Sequence, residues 1–191
     1  MIDPVDRKYN LKNLEYIVDY LSHLDYFLFF GTLLGYYREG NILPEDDDVD
    51  IYVDIKHRDE LIGILQQSEF SIRINNPYFL QGHRILEGIN TYFDFYLYET
   101  DDTKDYISER WNIAGDTRNA DRFLHTPKDM VFPIGWGSIG DIKVKIPHDV
   151  SECCRFLYGD KYKTPLKKDV EYRSEVVNNK PITYILKGEL K

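Results

Sequence analysis

Leu11, Leu14, Ile17, Val18, Leu21 and Leu24 recur at helical spacing, which predicts an amphipathic helix over about residues 8–25. A short apolar run at 27–30 reads as a buried strand closed by Gly31, and residues 33–38 start a second helix. Residues 50–54 form a strand, and residues 58–67 a helix packing through Leu61, Ile62, Ile64 and Leu65. Residues 70–74 and 84–87 are expected strands. The clearest alternation runs over 91–98, with Phe93, Phe95 and Leu97 on one face and Tyr92, Asp94, Tyr96 and Tyr98 on the other. Further on, 128–133 and 142–146 read as strands with turns at Gly135, Gly137 and Gly140, and 149–157 as a capped helix. No repeat or low-complexity linker interrupts the pattern, so residues 1–191 are expected to form a single domain.

One stretch of that pattern carries chemistry. A Gly31-Thr32 bend precedes a helix, whose first amides face whatever the bend holds, and Asp48 and Asp50 follow. On a strand, residues i and i+2 share a face, about 6–7 Å apart, while Val49, Ile51 and Val53 point into the core. Two carboxylates so placed can converge on a hard cation, the equipment of metal-assisted phosphoryl transfer. Asp94 stands in mid-strand, where a carboxylate is costly unless it faces a site. Arg38 offers a forked donor set suited to phosphate. An EF-hand reading of Asp46, Asp48 and Asp50 fails: Ile51 replaces the glycine at the sixth position and His57 the glutamate at the twelfth. Asp46 and Asp47 also read as a solvated loop, Gly31 as a tight turn and Thr32 as a helix cap; the last two uses are compatible with phosphate binding.

Composition narrows the partners. The apolar share of 42% and aromatic share of 15% fit a globular fold, and a net charge of −9 argues against polymeric nucleic acid. A single nucleotide carried with divalent cations fits, because the metal reverses the local field. The adjacent Cys153 and Cys154 give neither disulfide nor zinc spacing, and the five histidines form no ligand pattern. No apolar run reaches membrane-spanning length and residues 1–10 are too polar for a signal peptide, so the expectation is a soluble cytoplasmic protein without a membrane span.

The order strand, Gly-Thr turn, helix, strand with Asp-x-Asp, later strand with a lone Asp resembles the nucleotidyltransferase fold of the DNA polymerase beta type. That implies an α+β fold, a mixed sheet with helices packed against it. Gly31-Thr32-Leu33-Leu34-Gly35, then Arg38, Gly40, Ile42, Pro44 and the run 46–51, resemble the LicD family and its fukutin-type relatives. So does a late block of Pro147, residues 157–160 and Thr164-Pro165. The chain carries Glu45 and Tyr162 where bacterial members often have Trp. The resemblance implies a transferase that moves a phosphorylated alcohol, such as phosphocholine or ribitol phosphate, from a CDP-activated donor to a glycan hydroxyl, releasing CMP. It places Asp48, Asp50 and Asp94 as catalytic and metal-binding residues for Mg2+ or Mn2+, with Asp94 also able to take the hydroxyl proton. Gly31, Thr32 and Arg38 would bind the donor phosphates. Two alternatives stand beside it: a nucleotidyltransferase adding NMP from an NTP to a small molecule or protein, and a catalytically silent domain binding a nucleotide or glycan.

Overall fold

The computed structural model describes residues 5–44, 46–111, 122–165 and 184–186. Helix α1 (Arg7–Leu21) is capped by the Asp6 carboxylate, which accepts from the Lys8 amide at 3.0 Å. It buries Leu14, Ile17, Val18 and Leu21 as the spacing predicts, but ends before Leu24, which is buried in the turn to β1 (Tyr26–Leu28). Helix α2 (Phe30–Glu39) begins three residues earlier than expected and stops at Gly40, whose φ of 60° is left-handed. Gly31 and Thr32 therefore lie inside its first turn.

Strand β2 (Asp48–Asp54) leads through a 3-10 turn into α3 (Arg58–Gln67). Strands β3 (Ser71–Asn76), β4 (Phe79–Leu86) and β5 (Ile89–Thr100) follow, the last two forming a long hairpin. After β6 (Tyr106–Glu109) and β7 (Arg122–Pro127), the expected strand at 128–133 is instead a short helix, α4 (Lys128–Val131). This turn aims the Met130 and Val131 carbonyls at the amides of Asp149 (2.8 Å) and His148 (3.0 Å), docking the entry to the next helix. The hairpin β8 (Gly135–Ile139) and β9 (Ile142–Ile146) precedes α5 (Val150–Tyr158), capped by Asp149 as expected. Strand β10 (Tyr184–Leu186) closes the described chain.

Among the described residues, eight strands form one mixed sheet: six run in the order β1-β2-β5-β6-β7-β10, β4 pairs with β5 off this path and β3 with β4, and β8 and β9 form a separate pair. Strand β5 organises the sheet. One of its edges pairs in parallel with β2; the other pairs with β4 along its first part and with β6 at its end. Strand β2, between β1 and β5, is covered on both faces: Val49, Ile51, Tyr52 and Val53 have no exposed surface. The expected α+β fold, a mixed sheet with helices packed on it, is what the chain adopts. Parallel pairing of two strands 44 residues apart is the feature that matters for chemistry, because the register sets Asp50 directly opposite Asp94 and Asp48 opposite Tyr92.

Candidate metal and phosphate site

Strand periodicity puts Asp48 and Asp50 on one face of β2, and the register brings Asp94 of β5 alongside. Each offers a carboxylate oxygen, and the three ligand atoms lie within 4.8 Å of one another. Asp50 and Asp94 are buried and Asp48 is half-buried. Asp46, Asp47 and Asp48 form a second such group, with Asp46 buried and Asp47 half-buried. The donors are hard oxygens without thiolate or imidazole, a set that suits Mg2+ or Mn2+.

Electrostatics agree with the geometry. Burial, then the neighbouring charges of Asp50, Asp94, Asp47 and Asp46, push the Asp48 carboxyl well above the usual carboxylate range. Burial raises Asp94 to about 6, although a hydrogen bond from Gln81 pulls the other way. Burial and the charges of Asp50, Asp94 and Asp48 raise the Tyr96 phenol. A buried group of like charges is costly by itself, and a divalent cation among these oxygens removes the repulsion.

The start of α2 is built onto this cluster. The Gly31 amide donates to Asp50 Oδ2 at 3.1 Å, and the Asp50 amide donates to Thr32 Oγ1 at 2.8 Å. A Cβ on Gly31 would stand 2.8 Å from Asp46 Oδ2, so glycine is what lets the buried Asp46 carboxylate lie against this turn. Phe30, just before it, has a φ of 42°, a conformation that costs a bulky side chain on the order of 1–3 kcal/mol. Its ring is wedged edge-on against Tyr52 (5.5 Å) and Tyr96 (4.9 Å), packing that offsets the strain.

Two of the residues expected to hold donor phosphates make protein contacts of their own. The Thr32 side chain is fully buried and turned to the β2 backbone, so it ties the helix to the strand instead of lining an open surface. Arg38 is seven residues beyond Gly31, about 10 Å along the helix. Its Nε donates to the Tyr162 carbonyl at 2.6 Å and its Nη2 to the Thr164 carbonyl at 2.7 Å. The guanidinium fork holds the turn after α5. Tyr162, buried, contributes the first of those carbonyls, whereas Glu45 lies outside the described residues.

Sequence reasoning missed Gln81 and its companion. Gln81, opposite Asp94 on β4 and 4% exposed, donates from Nε2 to Asp94 Oδ1 at 2.8 Å and accepts from Arg73 Nη1 at 2.5 Å. A lone amide inside the apolar stretch Phe79-Leu80-Gln81-Gly82 was the available signal. A groove of about 500 Å³ lies at the other end of β2 and β5, lined by Asp54, Lys56, Glu99 and Arg110 among others. In it Lys56 pairs with Asp54 at 3.3 Å and Arg110 with Glu99 at 2.7 Å, and four residues of strand, about 13 Å, separate Asp54 from Asp50. The carboxylate cluster, not this groove, is the candidate for chemistry.

Comparison with known proteins bears on the same region. A family model described as LicD/FKTN/FKRP, nucleotidyltransferase domain, matches residues 23–149. The ribitol-5-phosphate transferase FKTN of Homo sapiens is 25% identical over 148 residues, covering 72% of this chain and 29% of the relative. The Macaca fascicularis and Mus musculus proteins of that name match over the same length at the same identity. The chain thus spans less than a third of these curated relatives. Among solved structures, the lincosamide antibiotic adenylyltransferase LnuA, lincomycin-bound, superposes with a TM-score of 0.56 at 20% identity, covering 88% of this chain and 95% of that one. That likeness shows a nucleotidyltransferase fold.

Proposed function

The chain belongs to the LicD/FKTN/FKRP nucleotidyltransferase-domain family, and from that premise we propose that it is a divalent-metal-dependent transferase of phosphorylated alcohols. In this reading it takes the phospho-alcohol from a CDP-activated donor and passes it to a glycan hydroxyl. The observation that carries it is the parallel register of β2 and β5, which gathers Asp48, Asp50 and Asp94 beside the first turn of α2. Ribitol phosphate heads the candidate cargoes, because the relatives that match are ribitol-5-phosphate transferases.

Asp48, Asp50 and Asp94 would hold Mg2+ or Mn2+. When bound, the metal neutralises charge on the diphosphate and on the departing CMP. The chain's own residues supply the rest. The first turn of α2, half-buried at Gly31, would present a helix N-terminus to the donor phosphates. Thr32 keeps that turn fixed to β2, and the Gly31 amide orients Asp50. Asp94, buried beside Asp48 and Asp50, would serve as base: it would accept the proton of the acceptor hydroxyl while that oxygen bonds to phosphorus and the anhydride bond to CMP breaks.

The test is a product assay on the full chain with Mg2+, offering CDP-ribitol, CDP-glycerol, CDP-choline and the NTPs with a panel of sugar acceptors. CMP release from one CDP-alcohol, lost in Asp50→Asn, is the expected result. Pyrophosphate release from CTP or ATP would replace this reading with nucleotidyl transfer. Thermal stabilisation by a donor without either product would make the domain a silent binder.

A further inference from the structure

We propose that Gln81 is a positioning residue for Asp94, and that Arg73 fixes which end of the Gln81 amide faces the carboxylate. The proposal rests on the reading of Asp48, Asp50 and Asp94 as a metal centre. An amide has nearly the same shape in its two flipped orientations, and only its partners choose between them. Here the choice is forced. Arg73 can only donate, so its Nη1 takes the amide oxygen, at 2.5 Å, and leaves the Nε2 to donate to Asp94 Oδ1, at 2.8 Å. The opposite flip would set an oxygen against a carboxylate and an N–H against a guanidinium.

Arg73 is itself held, with its guanidinium 5.0 Å from the centroid of the Tyr92 ring, and Tyr92 is the residue opposite Asp48 in the β2–β5 ladder. An exposed cation on β3 thus reaches a buried carboxylate on β5 through one buried amide on β4. The arrangement parallels that at Asp50, where the Gly31 amide takes one carboxylate oxygen. In each case a neutral donor holds one carboxylate oxygen without bringing a competing charge. A lysine at position 81 would compete with the metal for charge, and an apolar residue would remove the Gln81 donor and leave Asp94 to its Tyr96 hydrogen bond. Partners of this kind behind a metal ligand typically alter affinity by about 10–100-fold when removed.

Calorimetric titration of Mn2+ into the full chain at pH 7.5 tests this. Gln81→Met keeps the volume and removes the donor, and is expected to weaken Mn2+ binding by about 10–100-fold. Arg73→Met should weaken it by a smaller factor, and the double variant should bind no worse than Gln81→Met alone, because Arg73 acts through Gln81. A residue that only fills space would not produce that non-additivity. Affinity within twofold of the parent in Gln81→Met, or fully additive losses, overturns the proposal. Should Gln81→Met fail to fold, Arg73→Met at its exposed position carries the test: unchanged affinity there overturns it. Asp50→Asn separates the two levels. Mn2+ binding that survives Asp50→Asn, or is absent from the parent, overturns the metal centre and this inference together; binding lost in Asp50→Asn but untouched in Gln81→Met overturns this inference alone.

Discussion

Burial raises Asp94 to about 6, against about 3.9 for an aspartate in an unfolded chain, and the sign of that shift fixes a pH dependence. Between those two values the folded state binds more protons than the unfolded state, so stability falls as pH rises through this window. At neutral pH the ionised Asp94 costs the metal-free fold up to about 3 kcal/mol. Asp94→Asn removes that cost while keeping an oxygen for Gln81. In EDTA at pH 7.5, urea unfolding should therefore find the variant more stable than the parent, with the difference shrinking at pH 4 and turnover abolished. A parent at least as stable as the variant at both pH values would contradict the burial argument. The three carboxylates were legible in the sequence because strand alternation and the Asp-x-Asp spacing both act locally. Gln81 was not, since its meaning depends on which residue of β5 stands opposite it, and hairpin register over such a long pair is invisible to periodicity.

Elements were read well where one face alone is buried and less well where tertiary contacts set the ends. Helix α3 and strand β9 occupy the residues that the pattern predicts, and β5 extends the alternating segment at both ends. Helix α2 starts early because Phe30 turns the chain at a positive φ, a choice made by aromatic packing against Tyr52 and Tyr96 rather than by propensity. The far half of α2 is fixed in two further ways, and each gives a prediction. A Cβ on Gly35 would lie 2.6 Å from the Asn41 carbonyl oxygen and 2.8 Å from the Leu43 amide nitrogen, both backbone atoms that cannot swing aside. Gly35→Ala should destabilise by about 1–3 kcal/mol, despite alanine's better helix propensity, and urea denaturation reads the change. Arg38 spends its fork on the Tyr162 and Thr164 carbonyls, so Arg38→Met should loosen the turn after α5 by about 1–2 kcal/mol. Faster tryptic cleavage at Lys161 and Lys163 with an unchanged donor KM is the expected outcome, whereas a raised KM with unchanged cleavage would return Arg38 to a phosphate-binding role.

At the scale of the whole molecule, a chain of net charge −9 gathers Asp46, Asp47, Asp48, Asp50 and Asp94 around β2, and in the proposed reading this cluster must accept an anionic donor. Long-range repulsion alone would oppose such binding, and bulk salt would relieve it by screening over about 10 Å at 0.1 M. A coordinated cation does something screening does not: it stabilises only the fold in which β2 and β5 are paired, because the unfolded chain does not bring Asp94 beside Asp48 and Asp50. The two explanations separate by experiment. Mg2+ at 100 times its dissociation constant should add about 2.7 kcal/mol to stability by mass action. An equal ionic strength of NaCl should add far less, and Asp50→Asn should abolish the Mg2+ increment while leaving the response to NaCl in place. Melting temperatures followed across matched MgCl2 and NaCl series measure this directly. If the two salts act alike in the parent, the acidic cluster is a screened surface feature and the parallel register of β2 and β5 serves packing alone.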